Sequence, residues 1–126
     1  MIVVDSCGWL SYFTDDANAA FFAQVIEDPK QVLVPGVVVY EVCRRLHHLY
    51  GAESEARGYA YMSLAQFAPC DRDIFRQAAR AAAEHKLAMA DAIIWQTAQT
   101  HGAALYTQDG DLQGLPGVVY RPKPSS

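Results

Sequence analysis

Asp91-Ala92-Ile93-Ile94-Trp95-Gln96-Thr97-Ala98, followed by Gly102 and then by Leu105-Tyr106-Thr107-Gln108-Asp109, carries the clearest structural pattern in the chain. Ile93, Ile94, Thr97 and Ala98 stand at i, i+1, i+4 and i+5, the one-sided stripe of a helix resting on a core. Gly102 takes the place of a helix terminator. Ala103 to Tyr106 then reads as a short buried strand, and Asp109 follows it. One acid therefore opens a helix and another stands just past the next strand. In an open α/β sheet both positions fall on the carboxyl edge of the strands, where such folds place their sites.

Two more acids follow the same logic. Ile2-Val3-Val4 is an apolar run of strand character that ends at Asp5. Val32-Leu33-Val34 reads as another strand, Pro35-Gly36 as a turn, and a helix starts around Val37 with Glu41 in its first turns. Asp5, Glu41, Asp91 and Asp109 thus come from four distant segments and can converge on one rim. Carboxylates packed together raise one another's pKa. Such a cluster makes physical sense around a hard divalent cation with oxygen ligands, Mg²⁺ or Mn²⁺.

Strand candidates near 2–4, 32–34, 104–107 and 118–120, with a short one at Gln66–Ala68, alternate with helical stretches near 17–27, 37–50, 53–66, 73–85 and 91–101. Short apolar strands separated by helices indicate an α/β fold with a parallel sheet covered on both faces. A length of 126 residues suits one domain with a single core. Residues 1–121 are read as that domain, and 122–126, with Pro122, Pro124 and two serines, as a loose tail. The longest apolar run, Val32 to Tyr40, is broken by Pro35-Gly36 and is too short for a membrane span. Asp5 interrupts the N-terminus before a secretory leader can develop. Cys7, Cys43 and Cys70 are odd in number and widely spaced, which fits a reducing cytoplasm and neither disulfides nor zinc.

A strand ending in Asp5-Ser6, then Tyr40-Glu41-Val42-Cys43-Arg44-Arg45-Leu46, then Asp91-Ala92-Ile93-Ile94, then Thr107-Gln108-Asp109, resembles the PIN-domain ribonucleases, and in size the toxin subunits of VapBC-type toxin–antitoxin pairs. The resemblance runs from Ile2 to about Tyr120 and is most specific from Asp91 to Asp109. It implies a PIN-like three-layer sandwich whose short sheet is mostly parallel and flanked by helices. It also implies a metal-dependent endoribonuclease that is the toxin of a type II pair, with an RNA substrate, a cognate antitoxin and a homodimeric state. The acids carried over as catalytic and metal-holding are Asp5, Glu41, Asp91 and Asp109. The chain departs from the family pattern at Cys7-Gly8, where small hydroxylated or apolar residues are commoner, and at Leu112, where an aromatic is common. Asp111 is a second acid beside Asp109, and either can face the metal.

Simpler readings compete with each assignment. Asp91 can serve as a helix N-cap alone, and Asp5 as a strand-end turn residue. Glu41 can pair with Arg45 one turn on, although Val37, Val38, Val39, Tyr40 and Val42 around it suggest partial burial and a need for a partner. Asp109 and Asp111 suit a turn. Ser6 and Thr107 can orient the acids with their hydroxyls or fill cap and strand roles. The four histidines have no evident catalytic place; His85 and His101 suit helix C-termini. Tyr59, Tyr61, Met62, Leu64 and Phe67 form an apolar segment for the core, with a surplus available to a second subunit.

The net charge of −4 disfavours a general affinity for nucleic acid. Its basic residues are clumped, however. Arg44 and Arg45 lie one turn beyond Glu41 and are candidate RNA contacts, and Arg72, Arg76 and Arg80 recur every four residues. No Gly-rich phosphate loop suggests a nucleotide site. A phospho-acceptor receiver domain shares clustered acids and a Thr, but it needs paired acids near the first strand and a Lys after the last. A catalytically inactive PIN-like module that binds RNA or protein is the remaining alternative.

Overall fold

The computed structural model describes residues 1–125. Five strands form one sheet: β1 (Ile2–Val4), β2 (Val32–Pro35), β3 (Gln66–Ala68), β4 (Ala104–Thr107) and β5 (Val118–Tyr120). Their order is β3-β2-β1-β4-β5, and all four pairings are parallel. Six helices flank the sheet: α1 (Ser6–Thr14), α2 (Ala19–Ile26), α3 (Gly36–Tyr50), α4 (Ala52–Met62), α5 (Arg72–His85) and α6 (Met89–Thr100). The sheet is thus wholly parallel, and every strand seen in the sequence is present. No helix is long and apolar enough to cross a membrane among the described residues.

The central strands have near-continuous apolar sequence because helices cover both faces. Val3, Val4, Val32, Val34 and Leu105 are buried, and Val38 and Val42 of α3, Ile93, Ile94 and Ala98 of α6 and Phe22 of α2 pack against them. Thr97, on the same stripe as Ile94 and Ala98, is also buried and returns its hydroxyl to the Ile93 carbonyl at 2.7 Å. Gly102, at φ +62°, supplies the left-handed residue that lets the chain leave α6 for β4.

One helix and several boundaries differ from the sequence reading, among them the start of α2 at Ala19 rather than 17. Residues 6–14 form α1, a helix that the hydrophobic pattern does not reveal. Gly8, Trp9 and Ser11 are buried, and Leu10, Tyr12 and Phe13 pack partly buried against the core as well, so no polar face contrasts with an apolar one. The helix expected over 53–66 stops at Met62 because Gln66 begins the edge strand β3. The helix carrying Asp91 begins two residues earlier, at Met89.

The strand order reverses around β1. It pairs with β2 on one side and β4 on the other, so the chain leaves these neighbouring strands in opposite directions and opens a crevice at their carboxyl ends.

Candidate metal centre

Asp5 ends β1 at that crevice. Its amide donates to the Tyr106 carbonyl of β4 at 3.1 Å, and its side chain caps α1 by accepting from the Gly8 amide at 3.0 Å. The cap is one of three contacts. The Cys7 thiol donates to the same Oδ1 at 2.7 Å, and the Thr107 hydroxyl donates to Oδ2. Asp5 is only 3% exposed, so its two oxygens are held by protein donors rather than by bulk water. Burial pushes its pKa above the ordinary carboxylate value, and the charge of Asp109 adds to the rise, while the three donors oppose it.

Glu41 enters from the second turn of α3 and is half-buried. Its Oε1 accepts the Ser6 hydroxyl at 2.9 Å. The helix-surface pair with Arg45 does not form: among the described residues the ion pairs are Arg57–Glu53 and His85–Glu84. Glu41 turns inward toward the crevice, and Arg45 is left exposed.

Asp91 is not an N-cap. The cap position of α6 is Ala88, with no side-chain bond, and Asp91 is the third residue of the first turn. Its carboxyl is pushed up to about 7 by burial first, then by the charge of Asp109, then by Asp5 and, through a shared hydrogen bond, by Asp109 again, with Glu41 adding a smaller rise. The other three acids picked out in the sequence therefore all act on Asp91 across a single site.

Asp109 follows β4, held by its amide's 2.9 Å bond to Thr107 Oγ1. Its own Oδ1 accepts the Asp111 amide at 2.9 Å, which starts the short 3-10 turn over Gly110–Leu112. Buried Leu112 anchors that turn beneath the site. The turn-forming role is real and coexists with the site. Carboxylate oxygens of Asp91, Asp109 and Asp111 lie within 4.8 Å of one another. Asp111, exposed at the rim, thus joins Asp91 and Asp109 in the tightest grouping, with Asp5 and Glu41 behind.

Ser6 and Thr107 both bond to the acids as orienting hydroxyls. Three further supports went unseen in the sequence. Cys7 stands against Asp5 with its thiol pKa pushed above the ordinary range by burial and by the Asp5 carboxylate. Gln108, buried between Thr107 and Asp109, donates to the Cys7 carbonyl at 3.3 Å. Asn18, also buried, donates to Gln108 Oε1 at 2.9 Å and to the Pro122 carbonyl at 2.8 Å. A polar residue inside the apolar-to-acid junction at Thr107-Gln108-Asp109 is a faint signal for Gln108; nothing local marks Asn18, ninety residues away.

The donor set is all oxygen and carries several negative charges at close range, which suits a hard divalent cation. Burial is the first cause of the upward push on Asp91, and the repulsion from Asp109, Asp5 and Glu41 that adds to it is what such a cation would relieve.

Comparison with known proteins agrees with this fold. A toxin–antitoxin complex from Klebsiella pneumoniae matches with 28% identity over 94% of this chain and 96% of that one, at a TM-score of 0.81. VapC20 of Mycobacterium tuberculosis, described as a Sarcin-Ricin loop cleaving toxin, shares the fold at a TM-score of 0.81, with 21% identity over 97% of this chain and all of that one. The DNA-bound VapBC of Salmonella typhimurium shares it at 0.76, with 12% identity over 97% and 98% of the two chains. No curated protein matches the chain. The family model of the PIN domain matches residues 2–118, nearly the whole length, and the chain belongs to the PIN-domain family.

Proposed function

We propose that the protein is a divalent-metal-dependent endoribonuclease, the toxin of a type II toxin–antitoxin pair. The observation that carries this reading is the meeting of Asp5, Glu41, Asp91 and Asp109 in the crevice between β1 and β4, with Asp91 raised to about 7 by burial and by the charges of the other three. The PIN-domain match and the likeness to the Klebsiella toxin–antitoxin complex support the biological role.

Asp5, Glu41, Asp91 and Asp109 would hold one or two Mg²⁺ or Mn²⁺ ions, with Asp111 at the rim. When bound, such an ion supplies charge compensation at the phosphodiester and a lowered pKa for an attacking water. The chain's own part is to fix the acids. Thr107, Cys7 and the Gly8 amide hold both oxygens of Asp5, Ser6 holds Glu41, and the Thr107 hydroxyl sets the start of the Asp109 turn. Cys7 is no covalent nucleophile, because its thiol is held protonated and pointed at a carboxylate. Direct attack by water remains the simplest route.

Purified protein is expected to cleave RNA with Mg²⁺ or Mn²⁺ and to stop in EDTA. Asp91→Asn is expected to remove most of that activity with an unchanged circular dichroism spectrum. Cleavage that survives both treatments sinks the metal mechanism. RNA binding without any cleavage returns the reading to an inactive PIN-like module.

Two partners complete the proposal. A cognate antitoxin would silence the toxin by placing a basic side chain among the acids. A second copy of the chain would cover exposed Tyr59, Leu64 and Phe67, a surplus of apolar surface beside α4 and β3. Light scattering that shows only monomer at concentrations on the order of tens of micromolar removes the dimer.

A further inference from the structure

The outer face of α3 carries an arrangement that the acid centre does not use. Arg44, Arg45, His47 and His48 together wall a concavity of about 350 Å³. All four are exposed. Neither arginine has an acid within ion-pair reach among the described residues, where cationic side chains pair only in Arg57–Glu53 and His85–Glu84. The acid best placed to neutralise Arg45 is Glu41, one turn before it, and Glu41 is drawn inward to Ser6. Tyr40, 63% exposed, lies one turn before Arg44 on the same side of the helix and shares a groove with Arg44 and His47, in which Glu55 is the one acid and makes no ion pair with Arg44.

Resting on the nuclease reading above, we infer that this strip binds the RNA backbone beside the bond to be cut, with Tyr40 as a platform on which a base stacks. Glu41, Arg45 and His48 follow one another at helical spacing, so the strip starts at the metal centre and runs about 10 Å along α3. Two unpaired guanidiniums and two imidazoles present phosphate donors in a row. A chain of net charge −4 with an acid crevice repels a polyanion elsewhere, so its substrate needs a local positive track to reach the site. An exposed tyrosine beside such a track suits unstacked bases, which is how single-stranded RNA is held. An acidic peptide would use the arginines but has no base to place on Tyr40.

The test measures binding in the Asp91→Asn background, so that the probe stays intact. The probe is a short fluorescein-labelled single-stranded RNA of mixed sequence, titrated at several salt concentrations. Arg44→Ala/Arg45→Ala is expected to weaken binding about tenfold and to lower the salt slope by about 1.4, two contacts at roughly 0.7 each. Tyr40→Ala is expected to weaken binding about tenfold with the slope unchanged, and Tyr40→Phe to restore it. Arg76→Ala/Arg80→Ala, on the exposed face of α5, is expected to change neither, and melting curves check that each variant is folded. Unchanged affinity and slope in Arg44→Ala/Arg45→Ala overturns the inference, as does an equal loss in the α5 variant. Polyglutamate binding as tightly as RNA with the same dependence on Tyr40 also overturns it. Metal-dependent cleavage by the wild-type protein tests the nuclease reading separately, so a failed strip leaves that reading standing.

Discussion

Thr107, at the end of β4, donates its hydroxyl to Asp5 Oδ2 at the end of β1 and accepts the Asp109 amide at 2.9 Å. One buried oxygen thus sets two acids whose strands neighbour each other at the point where the sheet order reverses. Thr107→Val keeps the shape and removes both bonds, leaving a buried carboxylate with one donor fewer and an unpaired amide. The expected cost is about 1–3 kcal/mol of stability, together with a loss of nuclease activity larger than that of Thr107→Ser. Equal activity in the Val and Ser variants shows that the hydroxyl has no part in placing the acids.

Burial and the surrounding acids raise Asp91 to about 7 in the folded protein, from a reference value of 3.8. The native state therefore binds more protons than the unfolded chain between those values, and metal-free stability must fall as pH rises from about 4 to 7. The upward shift at Asp5 has the same sign. In EDTA, wild type is expected to melt higher at pH 5 than at pH 8, and Asp91→Asn to show a flatter profile. Mg²⁺ is expected to raise the melting temperature more at pH 8 than at pH 5, because protons compete with it for the carboxylates. A wild-type profile parallel to that of Asp91→Asn would show that Asp91 feels no such neighbours.

Gly8 lies where α1 crosses the sheet. A Cβ there would meet Val4 Cγ1 at 2.5 Å and Phe22 Cε1 at 2.7 Å, both in the packed core. Gly8→Ala is expected to cost about 1–3 kcal/mol through overpacking, and to lower activity by displacing the turn that carries Asp5, Ser6 and Cys7. Gly58→Ala on α4 crowds chiefly the end of the Leu46 side chain, which can turn away. A smaller drop in melting temperature is expected there, with activity retained. The reverse ranking by thermal melts would remove close α1–sheet packing as a constraint on the site.

The four acids were legible in the sequence because each sits at a strand end or in an early helical turn, and an open parallel sheet sends all such positions to one edge. Hydrophobic period located every strand and five of six helices. It failed on α1, where Leu10, Tyr12 and Phe13 pack against the core beside buried Trp9 and leave no contrasting polar stripe. That failure hid the capping role of Asp5 and the place of Cys7. The Glu41–Arg45 spacing suggested a surface pair because local spacing cannot register Ser6, thirty-five residues earlier, competing for the same carboxylate. Asn18 and Gln108 were invisible for the same reason: their bond exists only once α2 and β4 have packed.

Which of Asp109 and Asp111 holds the cation is open to a direct test. Asp109 is half-buried and is the neighbour whose charge acts most on Asp91, whereas Asp111 is exposed and is known to the site by proximity. A cation bound only by the folded state stabilises it by about 2.7 kcal/mol at 100 times its dissociation constant, or about 5–10 °C in a domain of this size. Asp109→Asn removes a repelling charge, yet keeps an oxygen able to accept the Asp111 amide. Its metal-free melting temperature is therefore expected to match or exceed wild type, and its Mg²⁺-induced rise to shrink, the exchange of stability for function usual at an active site. Asp111→Asn, at the exposed rim, is expected to leave the metal-free value unchanged and to reduce the Mg²⁺ response less. A full Mg²⁺ response in Asp109→Asn, with a lost one in Asp111→Asn, would transfer the ligand role to Asp111 and leave Asp109 as the residue that forms its turn.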